Sequence, residues 1–408
     1  MTTVTIERLG QQGDGVAPGP LFVPLTLPGE VVSGTLEGDT LVDVSVETPS
    51  SDRVKAPCPH FRSCGGCQLQ HASDDLVALW KRDLVITALA VHGIETQVHP
   101  TFTSPDKSRR RATFAARRTK KGAMVGFHAR KSDAIIPVPN CLLVTPALAG
   151  VAPLAEALAI AGASRKGALS VTVTEGLEGL DVAVTGGKPL DGPLRIVLAG
   201  LCEAHRLARL TWDDELIGMR VPPAQAIGKA SVVPPPGAFL QATRHGQDTL
   251  TALVKDIVGD AKSIADLFAG CGTFALPLAE RAEVLAVEGA SDMIAALDAG
   301  WRRAQGLKRL KTEVRDLFRR PLLPDELAGF DAVVLDPPRA GAVAQIAELA
   351  SARPPIIAHV SCNPQTFARD AATLLNAGYV LEWLQPVDQF RWSAHVELVG
   401  SFRLSHTR

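Results

Sequence analysis

The chain has 408 residues, of which 46% are hydrophobic and 21% charged, and its 42 basic and 43 acidic side chains leave a formal net charge of −1. Those proportions exclude long disorder and a globally basic nucleic-acid binder, so any grip on nucleic acid must be local, and the length suits two or three domains. The first twenty residues lack a basic start followed by an apolar core, and no run approaches the roughly 20 apolar residues that span a bilayer, so no membrane partner and a cytoplasmic location are expected.

From Thr2 to Val46 the chain reads as short strands broken by glycine and proline, the texture of a small β-barrel over residues 1–52. A cysteine segment follows over residues 53–95. Cys58, Cys64 and Cys67 are spaced C-x5-C-x2-C, and Cys141 stands far downstream. Soft thiolates in this pattern suit zinc or an iron–sulfur cluster, and His60 or His71 nearby leaves open a zinc site with one histidine. Gly65-Gly66 lets the backbone wrap closely there. A disulfide framework is not expected in a cytoplasmic protein of this size. The spacing of Leu76, Leu79, Trp80, Leu84 and Ala88 predicts a helix from Asp74 to His92, ended by Gly93.

Residues 96–235 mix short strands with an alanine-rich helix from Pro146 to Ala163, an α+β unit expected to face RNA. Between Lys107 and Lys131 lie ten basic residues, Lys107, Arg109, Arg110, Arg111, Arg117, Arg118, Lys120, Lys121, Arg130 and Lys131, without an acidic one. Phe114 and Phe127 among them read as sheet core or as base-stacking groups. Cys202 reads as core.

Pro234-Pro235-Pro236-Gly237 reads as a stiff hinge. Beyond it apolar runs alternate with helical segments at Ser263 to Phe268, Glu283 to Glu288, Phe330 to Leu335 and Pro355 to Val360. That rhythm predicts a doubly wound α/β sheet over residues 236–408. After the first run, Ala269-Gly270-Cys271-Gly272-Thr273-Phe274 is a turn lean enough for a ligand to approach the backbone, with Cys271 as a small filler. Glu288, at the tip of the next strand, is placed for ribose hydroxyls. The third glycine of the dinucleotide fingerprint is missing, which favours S-adenosylmethionine over NAD. Asp316 is placed to reach an adenine amino group and reads equally as a helix cap.

The remaining strand ends carry reactive groups. Asp336-Pro337-Pro338-Arg339, Ser361-Cys362-Asn363-Pro364 and His395-Val396-Glu397 each follow or adjoin an apolar run, so two carboxylates, an arginine and a thiol recur where an open α/β sheet builds its active site.

Together these residues resemble the RNA uridine-5-methyltransferases that use S-adenosylmethionine, in particular the bacterial 23S ribosomal-RNA branch. Ile6-Glu7-Arg8-Leu9 through Gly13-Asp14-Gly15-Val16-Ala17 to Leu27-Pro28-Gly29-Glu30 resembles the TRAM domain, an OB-like RNA-binding barrel. The four organised cysteines are similar to that branch's ligands for a 4Fe–4S cluster. Phe239-Leu240-Gln241 resembles the family's F-x-Q. The resemblance implies Gln241, Phe268, Thr273, Glu288, Asp316 and Asp336 for cofactor binding, Cys362 as nucleophile and Glu397 as base. It also implies an RNA partner, ribosomal or else transfer RNA, and a monomer. Thr243 replaces the asparagine expected two residues after Gln241, and Asp388-Gln389-Phe390-Arg391-Trp392-Ser393 departs from the usual D-x-F-P-x-T-x-H.

Two other readings stand beside this one. Asp336-Pro337-Pro338 also resembles the loop of amino-methyltransferases, but Arg339 then replaces a stacking aromatic and Cys362 is unexplained. A non-catalytic RNA-binding protein would keep the barrel and cluster while leaving Cys362, Glu397 and Gln241 without a task.

Overall fold

A computed structural model describes residues 1–405, so the expected 236–408 unit is described up to Ser405. The first 48 residues form a six-stranded sheet in the spatial order Thr2–Thr5, Val31–Glu37, Thr40–Thr48, Leu21–Val23, Gly15–Ala17, Arg8–Leu9. Its first and last members are halves of one stretch bent at Ile6-Glu7, whose amides donate to Glu30 O and Val16 O at 2.9 Å. The sheet therefore closes on itself around Ile6, Ala17, Val23, Val32 and Leu41, as the broken strands predict.

The cysteine segment has no regular structure before helix Asp74–Ala90, which Ser73 caps by accepting from Leu76 N. The helix stops two residues short of the expected His92, and Gly93 turns the chain at φ +65°. Its buried face is Val77, Trp80, Lys81, Val85, Ala88 and Leu89, whereas Leu79, expected inside, is 56% exposed. The helix packs against helix Pro364–Asn376 and strand Tyr379–Asp388, and those partners set which side is covered. Gln97–Val98 and Phe102–Thr103 then pair in parallel with Tyr379–Asp388. Residues 74–103, expected in the cysteine segment and the central unit, thus extend the edge of the C-terminal sheet.

The central sheet has seven strands in the order Ile135–Ile136, Ala123–His128, Arg111–Arg118, Leu169–Gly176, Gly179–Thr185, Arg209–Trp212, Glu215–Met219, and its core takes in helices Ala152–Gly162 and Gly192–Ala204. The single helix expected from Pro146 to Ala163 is broken into Pro146–Ala149 and Ala152–Gly162. Pro153, which lacks an amide proton, sits in the first turn of the second piece. Phe114 and Phe127 stack on each other at 4.9 Å, Phe114 buried and Phe127 packed against the same core, so they are core rather than base-stacking groups.

The proline run is tied down rather than free. Buried Arg209 pairs with Asp181 at 2.6 and 2.9 Å and donates to Pro234 O, while Arg111 donates to Gly237 O. Ahead of it, the hairpin Gln225–Ile227/Ala230–Val232 already packs Ile227, Ala230 and Val232 into the core of the last unit.

That unit is a nine-stranded sheet. Its order runs Leu310–Val314, Glu283–Glu288, Ser263–Leu267, Ala332–Leu335, Ile356–Ser361, Glu397–Leu404, Tyr379–Asp388, then the two short edge strands. The first five are parallel, and Glu397–Leu404 runs antiparallel to both neighbours. Two large apolar clusters, one with Leu267, Leu335 and Ile357, the other with Ile264, Val334 and Val360, cover opposite faces, as alternation along buried strands requires. Chain direction across the sheet reverses between Ser263–Leu267 and Ala332–Leu335, and a ligand crevice belongs at the carboxyl ends there. Among the described residues no helix is long and apolar enough to cross a membrane.

Candidate active site

At the reversal point strand Ser263–Leu267 runs into a tight turn. Phe268 holds φ +62°, a conformation costly for a non-glycine residue, and Gly270 and Gly272 hold φ +56° and +91°. Gly270 N donates to Glu288 Oε2 at 3.1 Å and Ala290 N to Oε1 at 2.9 Å, so the Glu288 carboxylate is fixed between two loops. Asp316 Oδ1 accepts from Phe318 N at 3.0 Å and so closes a turn; no helix starts there for it to cap, and its side chain borders the crevice.

The crevice is a cavity of about 440 Å³, within the range of cofactor-sized sites. All eight expected residues line it: Gln241, Phe268, Thr273, Glu288, Asp316, Asp336, Cys362 and Glu397. Four of them carry carboxyls, so the cavity suits a cationic ligand. Phe239 is a residue the sequence reading passed over. It is 61% exposed, at the edge of the same cavity, and the signal was its place in the F-x-Q run quoted only for its glutamine.

The reactive groups meet at one wall. Cys362 lies between strand Ile356–Ser361 and helix Pro364–Asn376; Asn363 caps that helix by accepting from Gln365 N at 3.1 Å and donates to Arg339 O. Burial pushes the Cys362 thiol up to about 12, reinforced by Glu397 and Asp336 and opposed by Arg339. Glu397 is raised to about 8, first by burial and then by Asp336, while a hydrogen bond from Gln389 and the charge of Arg339 oppose the rise. Burial alone raises Asp336 to about 7. Paired carboxyls held near neutrality are suited to proton transfer.

On the other side of Cys362 lies a second, smaller cavity of about 110 Å³. Arg339, Asn363 and His395 form one side of it, and Gln11 and Gln12, on a turn of the amino-terminal barrel, form another. Arg339 Nη2 stands 2.8 Å from His395 Nδ1. Arginine only donates, so Nδ1 accepts and the ring is neutral, in line with a pKa lowered by burial and by Arg339. Neither glutamine gave a sequence signal, because the contact joins residues some 350 positions apart.

The four organised cysteines also come together, lining a third cavity of about 260 Å³. Gly65 has no room for a side chain: a Cβ there would stand 2.9 Å from His128 O, so the glycine lets the loop dock on the central sheet. Among the described residues no group of three or more His, Cys, Asp and Glu is placed to hold a metal ion, and neither His60 nor His71 borders the cavity, so the expected zinc site with one histidine is not formed there. Arg109 and Arg111 line the cavity, and Arg130 donates to Cys67 O. Among the described residues none of the three forms an ion pair with a carboxylate. All three are half-buried, and their donors reach backbone carbonyls: Arg109 to Arg111 O, Arg111 to Gly237 O, and Arg130 to Phe61 O as well as Cys67 O. Cys202 and Cys271 are buried in apolar cores, as expected.

Residues 236–403 match the family model tRNA (Uracil-5-)-methyltransferase. An RNA methyltransferase of Rhizobium meliloti (strain 1021) is 45% identical over 408 residues, covering 98% of each chain. A 23S rRNA (uracil(1939)-C(5))-methyltransferase of Shewanella sp. (strain ANA-3) is 31% identical over 430 residues, covering 98% of this chain and 95% of its own. The fold is shared with a Pyrococcus abyssi tRNA (uracil-54, C5)-methyltransferase in complex with S-adenosyl-L-homocysteine, at a TM-score of 0.76 and 23% identity over 98% of this chain and 99% of that one. With identity sustained over nearly the whole length and a cofactor-sized crevice at the sheet's reversal point, the chain belongs to the S-adenosylmethionine-dependent RNA (uracil-5-)-methyltransferase family.

Proposed function

We propose that this protein methylates C5 of a uridine in structured RNA, 23S ribosomal RNA first, through a covalent bond between Cys362 Sγ and uracil C6. One observation carries the reading: a thiol and two buried carboxyls, Cys362, Asp336 and Glu397, share a wall of a cofactor-sized cavity. Uracil C5 is a weak nucleophile. Addition of the Cys362 thiolate to C6 turns the ring into an enolate, and C5 then takes the methyl group. Glu397 removes the C5 proton, the electron pair of that C–H bond re-forms the ring double bond, and the C6–S bond breaks to return the thiolate. Bound S-adenosylmethionine supplies the methyl group as a sulfonium.

Glu288, Asp316, Asp336 and Glu397 border the space for that positive charge, which favours the ionised forms of Asp336 and Glu397 and draws the Cys362 thiol down from about 12. Gln241, Phe268 and Thr273 complete the binding wall, with Glu288 toward the ribose and Asp316 toward the adenine. Asp336 and Gln241 face the uracil edge, and Phe239 offers its exposed ring to a base that has left its stack. The Gln11–Gln12 turn beyond Cys362 gives the RNA a path between barrel and sheet, which supports the barrel at 1–52 as an RNA-holding TRAM-like unit. Exposed Lys107, Lys120, Lys121 and Lys131 remain for phosphates, whereas Arg110 is buried in the protein's own hydrogen bonds.

The thiol-lined cavity supports a 4Fe–4S cluster held by Cys58, Cys64, Cys67 and Cys141. The four thiolates would hold the cluster, and their negative charge would answer Arg109, Arg111 and Arg130, none of which pairs with a carboxylate among the described residues. No methyl-transfer step passes through it. It ties the cysteine segment to the central unit.

Transfer of labelled methyl from S-adenosylmethionine to ribosomal and transfer RNA from a strain lacking the gene tests the reading. Label in 5-methyluridine of 23S ribosomal RNA supports it, and label in transfer RNA alone moves the substrate but keeps the chemistry. Cys362→Ala should abolish transfer while leaving RNA affinity nearly unchanged; methylation retained by that variant overturns the covalent route. A folded protein that labels neither RNA favours a binding protein or a different substrate, and overturns the assignment to these RNAs.

A further inference from the structure

We infer that Gln389 sets the direction of the Gln241 amide and thereby the preference of the site for uracil over cytosine. The inference rests on the reading above and names a positioning residue within it. Gln389 is 2% exposed and both ends of its amide are used. Its Oε1 accepts from the backbone amide of Ala242 at 2.8 Å; that group can only donate, so the oxygen end is fixed without reference to any other side chain. Its Nε2 therefore points the other way, donating to Gln241 Oε1 at 2.5 Å, on the side where it also lowers the pKa of Glu397. With its oxygen occupied, Gln241 turns its own Nε2 to Asp336 Oδ2 at 3.5 Å, on the cavity wall.

Two further features hold this relay in place. A Cβ at Gly246 would stand 2.8 Å from Gln389 Cβ and 2.9 Å from its Oε1, so the glycine leaves the side chain its room. One residue earlier, Asp388 is fixed by Lys81 at 2.6 Å and by Phe390 N at 2.9 Å.

The direction of the Gln241 amide decides what the cavity reads. Uracil presents O4 as an acceptor and N3–H as a donor. Cytosine presents an amino group and a bare N3. A donor from Gln241 beside the acceptor of Asp336 matches the first and sets donor against donor for the second. An amide free to rotate would serve either base. The same Gln389 donor acts on Glu397, where Asp336, Arg339 and Cys362 also face the carboxyl. Its removal raises the pKa of the base, so activity recovers only at higher pH.

The test uses the full chain and transcripts carrying U or C at the uridine located by the labelling experiment. It compares the unaltered protein with Gln389→Met, which keeps length but not hydrogen bonding, and with Gly246→Ala, which displaces Gln389 without changing it. Both variants should lower the U-over-C ratio of RNA affinity by about tenfold. Both should also move the rising limb of kcat/KM against pH to higher pH, with thermal melting confirming a folded protein. An unaltered ratio and limb in the folded variants overturns the inference. Failure of the unaltered protein to make 5-methyluridine sinks the underlying reading instead, so the two failures are told apart.

Discussion

Without cofactor, burial disfavours three negative charges at one wall, so near neutral pH Cys362 keeps its proton, Glu397 mostly keeps its own and Asp336 is about half ionised. This has a consequence for stability. Glu397 rises from 4.5 to about 8 and Asp336 from 3.8 to about 7, so the folded state binds protons more tightly than the unfolded chain. The stabilisation is full below about pH 4 and is lost as pH rises through 7 to 8. His71 and His359, lowered to about 4, titrate below about pH 6.5 and act in the opposite sense, so the range from about pH 6.5 to 8 isolates the carboxyls. Between those limits the Tm of the protein without cofactor should fall, and Glu397→Gln should flatten the slope. S-adenosylmethionine, a cation, should raise Tm more at the upper pH than at the lower. A slope that Glu397→Gln leaves unchanged would show that this carboxyl is not the one held protonated.

Helix Asp74–Ala90 illustrates the next scale. Its existence was legible in the apolar spacing and in Ser73 and Gly93 at its ends, but its facing was not. Lys81, a charge that a sequence reading puts outside, is fully buried and pairs with Asp388 at 2.6 Å, while Leu79 is exposed. An ion pair of this kind is costly to break from one side. Lys81→Met should destabilise the protein by about 3–5 kcal/mol in urea unfolding, because Asp388 is left buried and unpaired. Adding Asp388→Asn should recover a large part of that loss. A single variant as stable as the parent would mean that the pair contributes little and that the helix docks by its apolar face alone.

Across the whole molecule, the cysteine segment and the active-site loop are joined. Gln68 N and Leu69 N donate to Trp392 O at 2.7 and 3.0 Å, and the Trp392 ring packs with Cys58, Phe61 and Cys67. The loop braced in this way also carries Gln389 and His395. If a cluster organises the four thiols, Cys141→Ser should remove its visible absorbance, lower Tm and speed amide hydrogen exchange in residues 388–396. Exchange that is unchanged in that loop after the absorbance is lost would show that the brace does not depend on the cluster.

The sequence alone determined what is local. The apolar runs became strands Ser263–Leu267, Glu283–Glu288, Ala332–Leu335 and Ile356–Ser361, the glycine-rich turn follows the first of them, and reactive groups stand at the strand ends. These are short-range consequences of period, turn chemistry and β-propensity, and strand ends in a parallel sheet converge on one edge. The tertiary structure decided the rest. It moved residues 74–103 onto the C-terminal sheet, turned Phe114 and Phe127 into core, and tied down the proline run. It also brought Gln389 to Gln241 and Gln11 to the far side of Cys362. Each of these depends on which surface a segment finds more than a hundred residues away or across a sheet, and no local pattern encodes that partner. The protonation of Glu397 and Asp336 belongs with them, because burial exists only once the chain is packed.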